Sequence, residues 1–208
     1  MLSSETLATF FAASILLGLV PGPDNLFVLT QSALRGKGAG LMVMLGLCTG
    51  LIGHSTAVAL GVAVIFQTSA VAFSILKYLG AGYLIYLAWQ SFRASATAIQ
   101  AENTSAVSFG KLYCRGIIMN ITNPKVSIFF LAFLPQFAEP SRGPISLQLL
   151  LLGGVFIIAT ILVFGGIALL AGTLGPWLNR SEKTQRVMNK LAGTIFVGLA
   201  LKLARAEQ

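Results

Sequence analysis

Pro21-Gly22-Pro23-Asp24-Asn25 interrupts an otherwise apolar run from Leu7 to Leu34, and no continuous helix can pass through it. Proline removes a backbone donor, clashes with the preceding turn and pushes the residue before it out of the helical region. The surroundings make this break consequential. Of the 208 residues 56% are hydrophobic and 10% charged, with a mean hydropathy of +0.85. Soluble domains hold about 45–50% apolar and ~25% charged residues. The class implied is an all-α integral membrane protein, in which backbone groups freed at a break need partners in protein or in a water-filled cavity. Asp24, ionisable and deep in such a segment, is a functional-site candidate by position. The expectation is a broken transmembrane helix lining a polar site.

Met1-Leu2-Ser3-Ser4-Glu5 carries an acid and no Lys or Arg, unlike the basic start of a secretory signal peptide, so the first apolar run is expected to stay as a span. The net charge of +8 raises the question of nucleic acid. The basic residues, however, sit in short loops between apolar runs rather than in one solvated stripe, which fits membrane topology and no nucleic-acid partner. Cys48 and Cys114 have no paired spacing and no neighbouring His or Cys, so neither a disulfide nor a metal site is expected, and no cofactor is implied.

With about 20 apolar residues needed per crossing, six spans are expected: Thr6 to Leu34, Ala39 to Phe66, Ser69 to Phe92, Leu112 to Phe137, Ile145 to Thr173 and Val187 to Leu203. Loops one, three and five hold Arg35, Lys37, Arg93, Lys111, Arg115, Arg180, Lys183, Arg186 and Lys190; the other side holds Arg142, Lys202 and Arg205. Cytoplasmic loops are enriched in Lys and Arg, so both termini are expected outside the cytoplasm. Ala94 to Gly110, rich in Ala, Ser and Thr, reads as a connector inside a single membrane domain spanning 1–208, with one repeat over 1–93 and a second over 111–208.

Leu79, Leu87, Ala88, Arg93 and Ala94 align with Leu191, Leu199, Ala200, Arg205 and Ala206, and Pro23-Asp24 in the first span falls opposite Pro124-Lys125 in the fourth. Three spans per half mean that the halves cross the membrane in opposite directions, with helices 1 and 4 broken. Inverted repeats with interrupted helices at matching positions are how secondary transporters build a site near the bilayer midplane. Chance self-similarity of apolar sequence is the alternative for the third and sixth spans alone; the paired proline-plus-charge breaks weigh against it.

Asp24 is the one carboxylate well inside a span, because Glu5, Glu102, Glu139, Glu182 and Glu207 lie in loops or tails. Lys125 is its counterpart across the repeat. Two buried charges recover part of their desolvation cost by pairing, so the expected resting state is an Asp24–Lys125 pair. With a zwitterion bound, Asp24 would face an ammonium and Lys125 a carboxylate; a purely structural ion pair is the alternative. Asn25, Asn120, Thr122 and Asn123 supply amides and a hydroxyl, either to a small polar solute or merely to the freed backbone. Gly22 allows close approach of the chain to a ligand. His54, the one histidine, could relay protons or stay neutral and bond between helices. The Gly46-x-x-x-Gly50 spacing and the pairs Gly153-Gly154 and Gly165-Gly166 read as close helix packing. Lys77 is read as snorkelling, and Trp89 and Trp177 as interfacial anchors.

At Pro21-Gly22-Pro23-Asp24, at Gln31-Ser32-Ala33-Leu34-Arg35-Gly36 and again at Asn120-Ile121-Thr122-Asn123-Pro124-Lys125, the sequence resembles the lysine exporter superfamily over essentially its whole length, and most of all the threonine and homoserine exporter (RhtB-type) branch. The resemblance implies no enzyme but an exporter of the bacterial inner membrane, carrying neutral amino acids or close derivatives and coupled to the proton gradient as an antiporter. Pro21, Gly22, Pro23, Asp24, Asn123, Pro124 and Lys125 match the family's motif positions, and His54 falls where the branch often has a histidine. The direction of transport follows from the resemblance alone. The competing classes are a membrane thiol-disulfide relay, which needs reactive cysteines on the broken helices, a metal exporter, which one His and two Cys serve poorly, and a non-transporting partner protein.

Overall fold

The computed structural model describes residues 2–68, 70–94, 108–180 and 182–205, all helices and short connections with no strand among them. Helix α1 (Ser4–Leu19) starts under a Ser3 cap whose side chain accepts from the Thr6 amide. It stops where proline requires. Val20, before Pro21, is extended at φ −60°, ψ 121°, and Gly22, before Pro23, at φ −161°, ψ 177°. Pro23 then opens α2 (Pro23–Arg35), where its missing N–H is no loss, and the two helices meet at 62°. The second break is built alike: α5 (Phe109–Thr122) ends at Asn123 (φ −76°, ψ 107°), Pro124 opens α6 (Pro124–Ile128), and the bend is 52°.

Between and after them run α3 (Lys37–Thr68), α4 (Ala70–Arg93), α7 (Ile145–Arg180) and α8 (Glu182–Arg205). Beyond α6 the helix continues through a π-helical turn (Phe129–Phe133) and a tighter 3-10 turn (Leu134–Phe137). Lys37–Gly61 and Ile145–Ala171 are long and apolar enough to cross a membrane, and each bent pair qualifies if taken as one span, which makes four among the described residues. Helices α4 and α8 occupy the third and sixth expected spans. They pack along each other, while α3 packs on α5 and α7, and α2 on both α3 and α7. Of the connector expected at 94–110, residues 95–107 lie outside the described residues, as does the side chain of Trp177, while Phe109 and Gly110 already belong to α5.

Glycine sets the closest approaches. A Cβ on Gly46 would strike the Tyr113 carbonyl, and one on Gly116 would come within 2.5 Å of the Val43 carbonyl, so α3 and α5 touch backbone to backbone. The packing reading of Gly46-x-x-x-Gly50 is therefore the one observed.

Buried apolar residues form two clusters. One joins Phe10 and Leu17 of α1 to Phe129, Phe130 and Phe133 and to α4, α7 and α8; the other joins Phe27 and Val28 of α2 to α3, to Leu112 of α5 and to Val163 and Phe164 of α7. Each broken helix thus has one half in each cluster, and both breaks lie at the boundary between them. Exposed Leu60, Leu79, Ile118, Leu162 and Leu169 give the exterior an apolar surface.

Candidate functional site

A helix end leaves carbonyls without intrahelical partners, and the two breaks create such ends in the interior. Their partners include side chains from beyond the helix that ends and, at the second break, a backbone N–H. Asn25, two residues past the α2 start, turns its Nδ2 back to the Gly18 carbonyl at 2.6 Å. The Val20 carbonyl takes the Lys125 ammonium, from the other broken helix, at 3.4 Å. That ammonium stands directly over Gly22, where an added Cβ would lie 3.0 Å from Nζ. Here the absence of a side chain is a requirement of the site. At the second break the Asn120 carbonyl receives the Asn123 backbone N–H at 3.1 Å and His54 Nε2 at 3.2 Å. Nε2 must carry the proton to bond a carbonyl, so His54 ties α3 to the end of α5, with its ring 5.6 Å from that of Phe130.

Asp24 is 3% exposed, and Lys125 acts on it as its charged neighbour across the two breaks. The Asn123 amide faces the same carboxylate. Its Oδ1 already caps α6 by accepting from the Lys125 amide at 3.0 Å, which fixes Nδ2 as the group turned toward the site. Asn25 is fixed the other way round: its Nδ2 is used, so Oδ1 is presented, 3.8 Å from the position a Gly22 Cβ would take. Asn120 fits over Gly50, where a Cβ would come within 2.7 Å of its side chain.

Asp24 Oδ1, Asn25 Oδ1, Asn120 Oδ1 and Asn123 Nδ2 are buried without a protein hydrogen bond. Native interiors leave few such groups, and each calls for an explanation. Three acceptors and one donor, beside a carboxylate and an ammonium, complement a small solute bearing both a cationic and an anionic end.

The structure therefore brings Asp24, Asn25, Asn120, Asn123, Lys125 and His54 to the same two breaks. Pro21 and Gly22 line the first break half-buried, whereas Pro23 and Pro124 are exposed and act through the backbone alone. Thr122 does not join them: it is exposed and its hydroxyl returns to the Ile118 carbonyl of its own helix at 2.8 Å. Residues 120 and 122 are about 200° apart around a helix, so an inward Asn120 turns Thr122 outward. Gln31 is the polar group the residue-by-residue reading passed over. It is fully buried in α2, with Nε2 unpartnered, and its spacing of seven from Asp24 was the available signal. Cys48 is buried in α3 and Cys114 exposed on α5, both as free thiols away from the breaks. Among the described residues no group of three His, Cys, Asp or Glu could hold a metal ion.

The family model described as "LysE type translocator" matches residues 15–207. The homoserine/homoserine lactone efflux protein of Salmonella typhi is 35% identical over 198 residues, covering 95% of this chain and 95% of that protein. The leucine efflux protein of Salmonella choleraesuis is 32% identical over 203 residues, covering 96% and 94%. An uncharacterized membrane protein of Vibrio cholerae is 31% identical over 198 residues, covering 95% and 96%. No solved structure matches.

Proposed function

The chain belongs to the LysE-type translocator family, and from that premise we propose that it is a secondary exporter of neutral amino acids or close derivatives, driven by the proton gradient across a bacterial inner membrane. The observation that carries the reading is that Asp24 and Lys125, one from each broken helix, bear on each other's charge amid amide groups whose hydrogen bonds are unused. The expected direct ion pair is not formed, because the Lys125 ammonium is bonded to the Val20 carbonyl instead. Asp24 serves as the proton carrier and ammonium acceptor, with Asn25 and Asn120 offering further acceptors; Lys125 and Asn123 receive the carboxylate. Substrate and proton then compete for one carboxylate, which is the linkage an antiporter needs.

The same proposal takes the chain as six spans in two inverted repeats. Several features support it: both breaks join one apolar cluster to the other, α4 lies along α8 as α3 lies on α7, and proline opens the second segment of each broken helix. Arg35 and Lys37 flank the turn between α2 and α3, and the ring of Phe109, which starts α5 next to Lys111, lies 3.5 Å from a Cβ placed on nearby Gly38. A shared basic end at loops one and three fits a cytoplasmic face there, with both termini outside.

The test is uptake of a labelled amino-acid panel into everted membrane vesicles with and without a proton gradient, for the wild type and Asp24→Asn. Uptake that needs both the gradient and Asp24 is expected. Equal flux in the variant would remove Asp24 from the mechanism. The thiol-relay alternative has its own check, because replacing both Cys48 and Cys114 with Ser is expected to leave transport intact.

A further inference from the structure

Asp24, Val28, Gln31 and Arg35 recur at helical spacing along one stripe of α2. Gln31 is 0% exposed. Arg35 Nη1 donates to Gln31 Oε1 and so fixes which end of the amide is which. The Nε2 group, with two N–H bonds, is left buried and without an acceptor. Ser32, the next residue, gives its hydroxyl proton to its own Val28 carbonyl at 2.7 Å. The cluster that α2 joins is apolar and includes Phe27, Val28, Leu112, Val163 and Phe164. Arg115 of α5 lies against this cluster, its guanidinium 4.6 Å from the centre of the Phe27 ring. The described acidic side chains other than Asp24 are Glu5, at the start of α1, and Glu139, paired with Arg142. The basic end of α2 thus holds one unused buried donor, Gln31 Nε2, whereas the break offers mostly acceptors.

We propose that Gln31 is a specificity-determining residue: its Nε2 donates to the carboxylate of an amino acid at a second station, used before the substrate reaches the break. The inference rests on the exporter reading above. Asp24 and Gln31 are seven residues apart, about 10 Å along the helix axis. An α-amino acid carries its ammonium and carboxylate on one carbon and cannot reach both residues at once, so the two stations act in series. Arg35 holds the amide in the donating orientation, and Gln31 supplies the contact that distinguishes a free carboxylate from its ester or amide.

The experiment compares uptake into everted vesicles of homoserine with homoserine lactone, and of leucine with leucinamide, for the wild type, Gln31→Met and Gln31→Glu. The glutamate keeps the side-chain length and the acceptor for Arg35 but replaces the donor with an oxygen. Losing a hydrogen bond to a charged group raises KM about tenfold or more. That rise is expected for homoserine or leucine in both variants, with Vmax maintained and with KM for the lactone and the amide unchanged. A KM shift shared by acid and carboxylate-free partner would show a structural role and overturn the assignment. So would wild-type KM values for the acids in Gln31→Glu. Wild-type vesicles that move no member of the labelled amino-acid panel, these four compounds included, defeat the exporter reading itself, a failure distinct from either of these.

Discussion

The two breaks solve one problem by different means. At the first, three residues from Val20 to Gly22 are non-helical and the bend is 62°; the stranded carbonyls of Gly18 and Val20 are served by side chains, Asn25 from α2 and Lys125 from the far half of the chain. At the second, Asn123 alone is non-helical and the bend is 52°; the Asn120 carbonyl takes a backbone N–H from within the break as well as the His54 ring. A break closed by its own backbone is local. The carbonyls stranded at the first break have no such backbone closure and depend on side chains, so anything that moves Lys125 uncaps α1, and anything that changes the charge on Asp24 acts on Lys125. The first break is therefore the responsive one and the second its frame.

Lys125→Met tests this asymmetry most severely. It leaves the Val20 carbonyl without its donor and Asp24 without its compensating charge in the interior. Breaking a buried charge pair from one side costs about 3–5 kcal/mol, so a large drop in melting temperature in detergent is expected. Adding Asp24→Asn to the same chain removes the stranded charge and should restore part of the loss. If the double variant melts no higher than Lys125→Met, the two charges are not coupled and the comparison fails at its centre.

The frame can be strained without touching a charge. Gly50→Ala places a methyl group within 2.7 Å of the Asn120 side chain, and Asn120 also carries the carbonyl that His54 and Asn123 serve. Overpacking of this kind costs about 1–3 kcal/mol. Gly53→Ala, one turn along the same helix and open to space, is the control and should be silent. Equal melting of the two variants would mean that Asn120 yields easily and that the second break is no frame.

Much of this was legible in the chain, for reasons that are themselves local. Pro21, Pro23 and Pro124 act on the residue before them whatever the surroundings, so both breaks, with Val20, Gly22 and Asn123 extended, follow from sequence. The burial of Asp24 and Asn120 and the tight Gly46 crossing followed from pattern as well. What did not follow is the division of labour. That Asn25 bonds Gly18 seven residues earlier depends on how far the chain bends at the break, and spacing along an interrupted helix does not give that. Thr122 was grouped with Asn120 by nearness in sequence although helical rotation separates them. Gln31 was visible only as part of a motif, because its burial depends on what α3, α5 and α7 place around α2.

His54 gives the smallest expected effect and the sharpest distinction between the breaks. The Asn120 carbonyl has two donors, so removing the imidazole in His54→Leu still leaves the Asn123 N–H in place. A single neutral hydrogen bond contributes about 1 kcal/mol, and a loss near that size is expected in the detergent melting curve. His54→Gln can offer its own amide N–H to the same carbonyl and should recover most of that loss. If His54 serves only this carbonyl, the glutamine variant also transports as the wild type does, and the second break does no more than hold its shape. If stability returns but gradient-driven uptake does not, the imidazole is needed for its proton as well as its hydrogen bond. The second break would then share in the chemistry that the comparison assigns to the first.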